Sequence, residues 1–323
     1  MKRRMTDKTE IYFAAPEKNS LMECYIIKTG GGRLVVIDGG IDGEGRDRPP
    51  FLGYALRAVA GLCEDDPLTV DAWFLSHAHC DHFRELGKLM SACKSPEQLT
   101  VNRFIFDFPP YETDEFPFRG GDEQMFSDLK AGFDHYAALH GIAYSGESYF
   151  DAVNGCNVSG KTIEAGQVID VDGVKFEMMQ TWDISDGTDT NSSSLVFRMH
   201  ANGKTMLFLH DLGRSGGRRL LEKYGEALRS DAVHMAHHGQ AGVDEDVYRA
   251  INAEKRVWGT PAWVWSNTRD YRIGETRRWV NGDEDFTAAT DNDVVTCLYP
   301  CYPDDPYSVA SWSKVLPCMK ITL

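Results

Sequence analysis

The chain has 323 residues, and 34 Lys and Arg against 49 Asp and Glu give a net charge of −15. Hydrophobic residues make up 42% and charged residues 26%, which excludes disordered, collagen-like and fibrous classes and leaves a globular protein with a full core. The acidic balance disfavours a long nucleic-acid partner, because phosphate contacts need clustered Lys and Arg.

The N-terminus reads Met1-Lys2-Arg3-Arg4, but the polar run Thr6 to Glu10 follows it in place of the apolar segment of a secretory signal. No apolar run approaches the ~18 residues of a membrane span. The eight cysteines are scattered with no CxxC pair, which reads as reduced thiols. Together these predict a cytoplasmic protein with no membrane partner.

Along the chain, Glu23–Lys28 and Arg33–Ile37 meet across Gly30-Gly31-Gly32 and read as a hairpin ending in Asp38-Gly39-Gly40. A helical stretch covers Leu52–Val59, and a strand from Asp71 runs into His77. Residues 104–150 are aromatic and acidic, partly helical over Asp122–His140, and read as an insertion that roofs the site. A second hairpin fits Gln167–Asp170 and Val174–Glu177 around Asp172-Gly173. A third joins Ser194–Met199 to Lys204–Leu209 across Asn202-Gly203, a strong turn dipeptide, and ends in His210-Asp211. A helix over Arg218–Arg229 follows, and a strand from Asp231 reaches His237. Hairpin, Asp, helix, strand, His therefore occurs twice. That repeat predicts an α/β fold of four layers, αββα, from two related halves sharing one rim. The expected organisation is a single domain over 1–323, with an irregular Trp-rich extension at 258–323.

Residues 77–82 read His77-Ala78-His79-Cys80-Asp81-His82. His77 and His79 alternate along extended backbone and point the same way. Asp81 and His82 begin the next turn. Imidazole plus carboxylate suits zinc, manganese or iron, and the scarcity of thiolates disfavours a closed structural zinc site. Three more of the ten histidines, His210, His237 and His238, fall at the equivalent rim of the second half. His135 and His140 read as surface or packing residues, and His200 and His234 as structural.

His77-Ala-His79-Cys-Asp81-His82 resembles the HxHxDH signature of the metallo-β-lactamase fold hydrolases. Asp38-Gly39-Gly40 is similar to that family's first motif. Asn191-Ser192-Ser193-Ser194-Leu195-Val196, the strand ending in Asp211, and His237-His238-Gly239-Gln240 resemble later motifs of the branch that includes the ComEC hydrolase-like domain. The resemblance implies one or two divalent metals, zinc first, with manganese or iron as alternatives. His77 and His79 would hold one metal, and Asp81 and His82 a second with His237 as partner. Asp211 would bridge them. Asp38 would support ligands from behind, Asp81 would orient the nucleophile, and His238 would line the pocket, orient its neighbour or donate a proton. Many members supply a further histidine where this chain reads Met178–Asp183, and Asp183 is the candidate replacement.

Three functions compete. The first is hydrolysis of a phosphodiester or phosphate ester of a small or short substrate, favoured by the branch resemblance and by Arg214, Arg218, Arg219, Arg269 and Arg272 near the rim. The second is hydrolysis of a carboxylic ester, lactone or thioester, which Phe106, Phe108, Tyr111, Phe116 and Phe118 would suit. The third is metal binding or protein interaction without turnover, with Trp258, Trp263, Trp265, Trp279 and Trp312 as a contact surface. The oligomeric state is not readable.

Overall fold

The glycine and asparagine turns close the hairpins as their residue types dictate. In the computed structural model, which describes residues 8–41, 49–109, 123–142, 163–183, 185, 189–270, 272–281, 289–299, 302–314 and 320–321, Asn202 and Gly203 both take left-handed φ angles of 54° and 75°. Asp172 and Gly173 do the same at 54° and 84°.

The strands are β1 (Glu10–Phe13), β2 (Tyr25–Lys28), β3 (Leu34–Ile37), β4 (Thr69–Val70), β5 (Ala72–Phe74), β6 (Thr100–Val101), β7 (Phe104–Ile105), β8 (Val168–Val171), β9 (Val174–Gln180), β10 (Val196–Ala201), β11 (Lys204–Phe208), β12 (Ala232–His234), β13 (Lys255–Trp258), β14 (Asp293–Val295) and β15 (Lys320–Ile321). The helices are α1 (Phe51–Ala60), α2 (Cys80–Ala92), α3 (Glu123–His140), α4 (Arg214–Tyr224), α5 (Glu245–Ile251), α6 (Ala262–Ser266), α7 (Ile273–Asn281) and α8 (Val309–Lys314).

One sheet runs β15-β1-β2-β3-β5-β7 and the other β14-β13-β12-β11-β10-β9-β8, with β4-β6 as a small annex. In each half an antiparallel hairpin leads into a parallel crossover: β3 pairs with β5, and β11 with β12. The helix between them covers the outer face, as a crossover requires.

Three apolar clusters fill the layers. Between the sheets, Ile27, Val35, Phe74, Phe176, Phe197 and Phe208 interdigitate. Outside the first sheet, Val36 and Trp73 pack against Leu56, Phe83 and Leu86 of α1 and α2. Outside the second, Leu207 and Trp258 pack against Leu220, Val247 and Ile273 of α4, α5 and α7. Each such fully buried large side chain contributes roughly 1.5–3 kcal/mol of burial free energy. The order helix, sheet, sheet, helix is the four-layer αββα arrangement.

Two segments differ from the sequence expectation. α3 does not stand apart as a roof. It packs on α2 through Phe126, Leu129 and Phe133, and Gly132 comes so close to the Gly87 backbone that a β-carbon would clash. Tyr111, Phe116 and Phe118 lie outside the described residues. The stretch after Trp258 is not wholly irregular either. β14, parallel to β13, and β15, antiparallel to β1, each add an edge strand to one sheet. Of its tryptophans, Trp258 and Trp312 are buried in the helical layers and Trp263 is exposed. Among the described residues no helix is long and apolar enough to cross a membrane, and the described cysteines form no disulfide.

Candidate active site

Strand ends deliver the polar side chains to one rim. β5 exits through Ser76 into His77, and α2 begins at Cys80 with Asp81 in its first turn. That position suits an anion, because the free N–H groups of the first turn carry partial positive charge. Gly39, just after β3, lies against Leu86 of α2 so tightly that a β-carbon would fall 2.7 Å from the Leu86 β-carbon. This close approach brings Asp38 beneath the HxHxDH loop.

The second half reaches the rim through backbone that most residues avoid. Asp38, His210, His237 and His238 all have positive φ, at 62°, 49°, 51° and 54°. Such left-handed, non-glycine positions cluster where side chains are aimed for function. The left-handed counterpart of Asp38 is thus His210, with Asp211 one residue later.

Of the three donor groups among the described residues, one is Asp38 with His82 and His210 behind the rim, and the other two share Asp211. His77, His79 and Asp211 make one; Asp81, His82, Asp211 and His238 make the other, the atoms of each lying within 4.8 Å of one another. His77 Nε2 lies 3.2 Å from His79 Nδ1 and 3.8 Å from Asp211 Oδ2. His82 Nε2 lies 3.4 Å from Asp211 Oδ1, and His238 Nε2 lies 3.0 Å from Asp81 Oδ2 and 3.7 Å from Asp211 Oδ2.

The hydrogen bonds behind the rings leave the right nitrogens facing in. Ser76 N–H and Oγ–H donate to Asp38, at 2.7 and 2.9 Å, and His82 Nδ1–H donates to Asp38 Oδ2 at 2.8 Å. Ser76 Oγ lies 3.0 Å from His77 Nδ1, and His238 Nδ1–H donates to the Gly259 carbonyl at 2.7 Å. Each of these three rings therefore keeps a proton on Nδ1 and turns Nε2 toward the other donor atoms. Such outer partners fix tautomer and orientation at metal centres.

His82 Nε2 and Asp211 Oδ1 are buried and have no hydrogen-bond partner. Leaving such atoms unpaired costs roughly 1–3 kcal/mol each or more, and a cation between them removes that penalty. The donor set, imidazole and carboxylate, fits a divalent metal.

Electrostatics agree. Burial alone would raise the Asp211 carboxyl, but the facing imidazoles of His82, His238 and His237 hold it well below its ordinary value. Asp81 is brought to about 2 against the same burial, by His82 and His238. Burial, with His82 beside it, keeps His77 well below its usual range and so neutral. His82 and His238 resist burial and are raised, because Asp211 and other carboxylates face them.

Two expectations change. His238, not His237, joins Asp81, His82 and Asp211. The family resemblance placed His237 there, but the two consecutive left-handed residues turn the backbone, and the loop after β13 anchors His238 through Gly259 and Thr260. His237 is part-exposed, 3.8 Å from Asp211 Oδ2, and lines the adjoining cavity. Asp183 does not replace the absent histidine. It is exposed, its Oδ1 accepts from the Ser185 N–H and hydroxyl, and it belongs to none of the donor groups among the described residues.

Other histidines fall where composition suggested. His135 and His140 donate to the Cys93 and Leu99 carbonyls, and His200 faces Glu177. His234 is buried against Glu23. Glu23 itself escaped the sequence reading. The available signal was an acidic residue opening an otherwise apolar strand.

Next to Asp211 and His237 opens a cavity of about 530 Å³. Its wall carries Arg214, Arg272, Asn191, Ser192 and Ser215 with the carboxylate of Asp189, and its one apolar side chain is Ala241. Arg214 Nε and Arg272 Nη2 each lie 3.0 Å from Asp244 Oδ1, which holds both guanidinium groups at the cavity. Arg218, Arg219 and Arg269 do not line it.

Residues 23–259 match the family model of the metallo-beta-lactamase superfamily. The chain is 29% identical over 134 residues to the competence protein ComA of Neisseria gonorrhoeae, covering 41% of this chain and 18% of that protein, so it spans less than a fifth of that relative's length. Among solved structures it is similar to the metallo-beta-lactamase fold protein YhfI of Bacillus subtilis, at 12% identity over 79% of this chain and 88% of that one, with a TM-score of 0.40. It is also similar to CmlA, a diiron beta-hydroxylase of Streptomyces venezuelae, at 11% identity over 86% of this chain and 51% of that one, with a TM-score of 0.45. Since the family model takes in the HxHxDH loop, Asp211 and both histidines of the 237–238 turn, the chain belongs to the metallo-β-lactamase superfamily, whose fold holds one or two metal ions and whose members are in general metallo-hydrolases.

Proposed function

We propose that this metallo-hydrolase cleaves a phosphodiester or phosphate ester of a small or short substrate. The observation that carries the reading is the wall of the cavity beside Asp211, where two arginines and a set of hydroxyl and amide groups stand in place of aromatic or aliphatic side chains. Guanidinium groups match phosphate oxygens in charge and fork geometry. An ester or lactone pocket would be mainly apolar. The cavity volume lies within the range of small-molecule sites, which supports a small substrate over a polymer.

His77, His79, Asp81, His82, Asp211 and His238 would hold one or two divalent ions, zinc by donor type, with manganese or iron accommodated by the same donors. An ion held there would lower the pKa of a water to near 7 and would polarise a phosphoryl oxygen. Arg214 and Arg272 bind the phosphate and turn the scissile bond toward the metal-facing donors. Asp81, anionic at the α2 N-terminus, accepts a hydrogen bond from the attacking water and orients it. His237, at the cavity edge, is held below its ordinary value by burial and so stays neutral; it hydrogen-bonds the substrate there, while the proton-donor role the sequence gave to His238 falls to neither ring of the turn. Asp38 keeps His82 oriented from behind.

The test is a screen of bis-p-nitrophenyl phosphate and p-nitrophenyl phosphate against p-nitrophenyl acetate and a lactone, with added Zn²⁺ or Mn²⁺. Phosphoester turnover whose KM rises ~10-fold or more in Arg272→Ala is the expected result, from loss of a charge-assisted contact. Turnover of the acyl substrates alone would overturn the reading.

A further inference from the structure

Glu23 stands just before β2 with no solvent exposure. Among the described residues its ion-pair partners are both histidines. His234 Nε2–H donates to Oε1 at 2.8 Å, and His238 Nδ1 lies 3.4 Å from Oε2. Oε2 has no hydrogen-bond partner. The Glu23 N–H donates to the Asp81 carbonyl at 3.0 Å. A β-carbon at Gly259 would collide with Oε2, so glycine is what admits the carboxylate to this position. Glu23 therefore touches the metal-facing loop of the first half through its backbone and that of the second half through its side chain.

A carboxylate taken wholly out of water carries a penalty of several kcal/mol, and folds seldom keep one without an arginine or lysine. Asp38 shows the same pattern. It too is fully buried, and it sits between His82 Nδ1 at 2.8 Å and His210 Nδ1 at 3.3 Å. In each trio one histidine faces the site, His82 or His238, and one lies behind, His210 or His234. The two rear rings are neighbours, with centroids 5.6 Å apart. Both carboxylates come from the first sheet. One backs a histidine of its own half; the other reaches across the sandwich.

We propose that Glu23 is a positioning residue for His238, the counterpart of Asp38 behind His82. Together with the Gly259 carbonyl it holds the proton on Nδ1. Its negative charge behind the ring makes Nε2 a stronger donor toward the site. This role rests on the proposed assignment of His238 as a metal ligand.

The experiment compares the full-length chain with Glu23→Gln and His238→Ala. It measures Co²⁺ affinity by chelator competition, the visible spectrum of the Co²⁺-loaded protein, and the melting temperature in EDTA. Glu23→Gln keeps the shape and an acceptor but removes the charge. Its melting temperature in EDTA should match or exceed that of the parent, while Co²⁺ affinity falls ~10–100-fold, as for other outer partners of metal ligands, and the spectrum shifts. His238→Ala should lose more. Normal Co²⁺ binding and spectrum in Glu23→Gln, with loss in His238→Ala, would overturn the role of Glu23 alone. Normal binding in both would overturn the assignment of His238 itself. A lower melting temperature in EDTA with unchanged Co²⁺ binding would make Glu23 structural and also overturn the proposal. If Glu23→Gln does not fold, His234→Gln loosens the carboxylate from behind, and unchanged Co²⁺ affinity there has the same overturning force.

Discussion

The first half of the rim delivers His77, His79, Asp81 and His82 within six consecutive residues, from a strand end and the first turn of α2. The second half delivers Asp211 and His238 from two separate strand ends, through backbone in the left-handed region at His210, His237 and His238. One half places ligands by ordinary strand and helix periodicity. The other places them by forced turns that the neighbouring loop must hold, with Thr260 Oγ1 donating to the His238 carbonyl at 2.6 Å. The second half is therefore the more fragile, and it also carries the cavity wall.

The sharpest way to break this comparison is at Asp211, the one side chain common to the two donor groups of the rim. Asp211→Ala should abolish metal retention, a larger loss than the ~10–100-fold typical of outer partners, and hydrolysis should fall with it. Metal analysis after gel filtration checks this. Full metal content in Asp211→Ala would mean that the halves bind independently.

The adjacent histidines come next. His238→Ala should lower metal content. His237→Ala should keep its metal and lose ~10-fold in kcat/KM, the effect of one lost hydrogen bond to the substrate. If the two variants behave in the opposite way, the left-handed turn does not aim the rings as described. The same turn explains what the sequence could and could not disclose. The hairpins, both crossovers, the HxHxDH loop and Asp211 follow from period-2 patterning and a dense motif, which a linear reading captures. The choice between His237 and His238 hangs on two φ signs. Asp183 looked suitable by position, but its side chain is exposed and its carboxylate accepts from Ser185. Glu23 and His234 meet across 211 residues, a separation that no local pattern spans. The arginines of the rim were visible as residue types, while the selection of Arg214 and Arg272 depends on Asp244 holding them.

A third prediction concerns protons. His82 and His238 are raised above the usual imidazole range by the carboxylates that face them, despite burial. A metal must displace those protons before it can bind Nε2. Binding near neutral pH should therefore release protons, more than one per chain, and affinity should weaken as pH falls. Calorimetry of Co²⁺ binding in buffers of different ionisation enthalpy counts them. No release would mean that both rings are already neutral.

The smallest effect tests the carboxylates themselves. Asp38 and Asp211 are buried and Asp81 largely so, and all three are lowered against that burial because imidazoles face them. Asp107, beyond β7 in the same first sheet, is mostly buried too, yet it rises from 3.8 to about 6. Burial pushes it up, and its contacts with the Thr181 side chain and Trp182 backbone only partly offset that. The folded state therefore binds the Asp107 proton more tightly than the unfolded state. Its contribution to stability is complete below pH 3.8 and is lost as pH rises through about 6. Asp107→Asn should be indistinguishable from the parent near pH 4 and more stable by on the order of 1–2 kcal/mol near pH 7.5. Denaturation midpoints at the two pH values measure the difference, and taking parent minus variant cancels the acid loss caused by the site carboxylates. The metal content of Asp107→Asn should stay at the parent level. A fall there would place Asp107 with the rim carboxylates, and the presence of a facing imidazole would then no longer separate the two kinds.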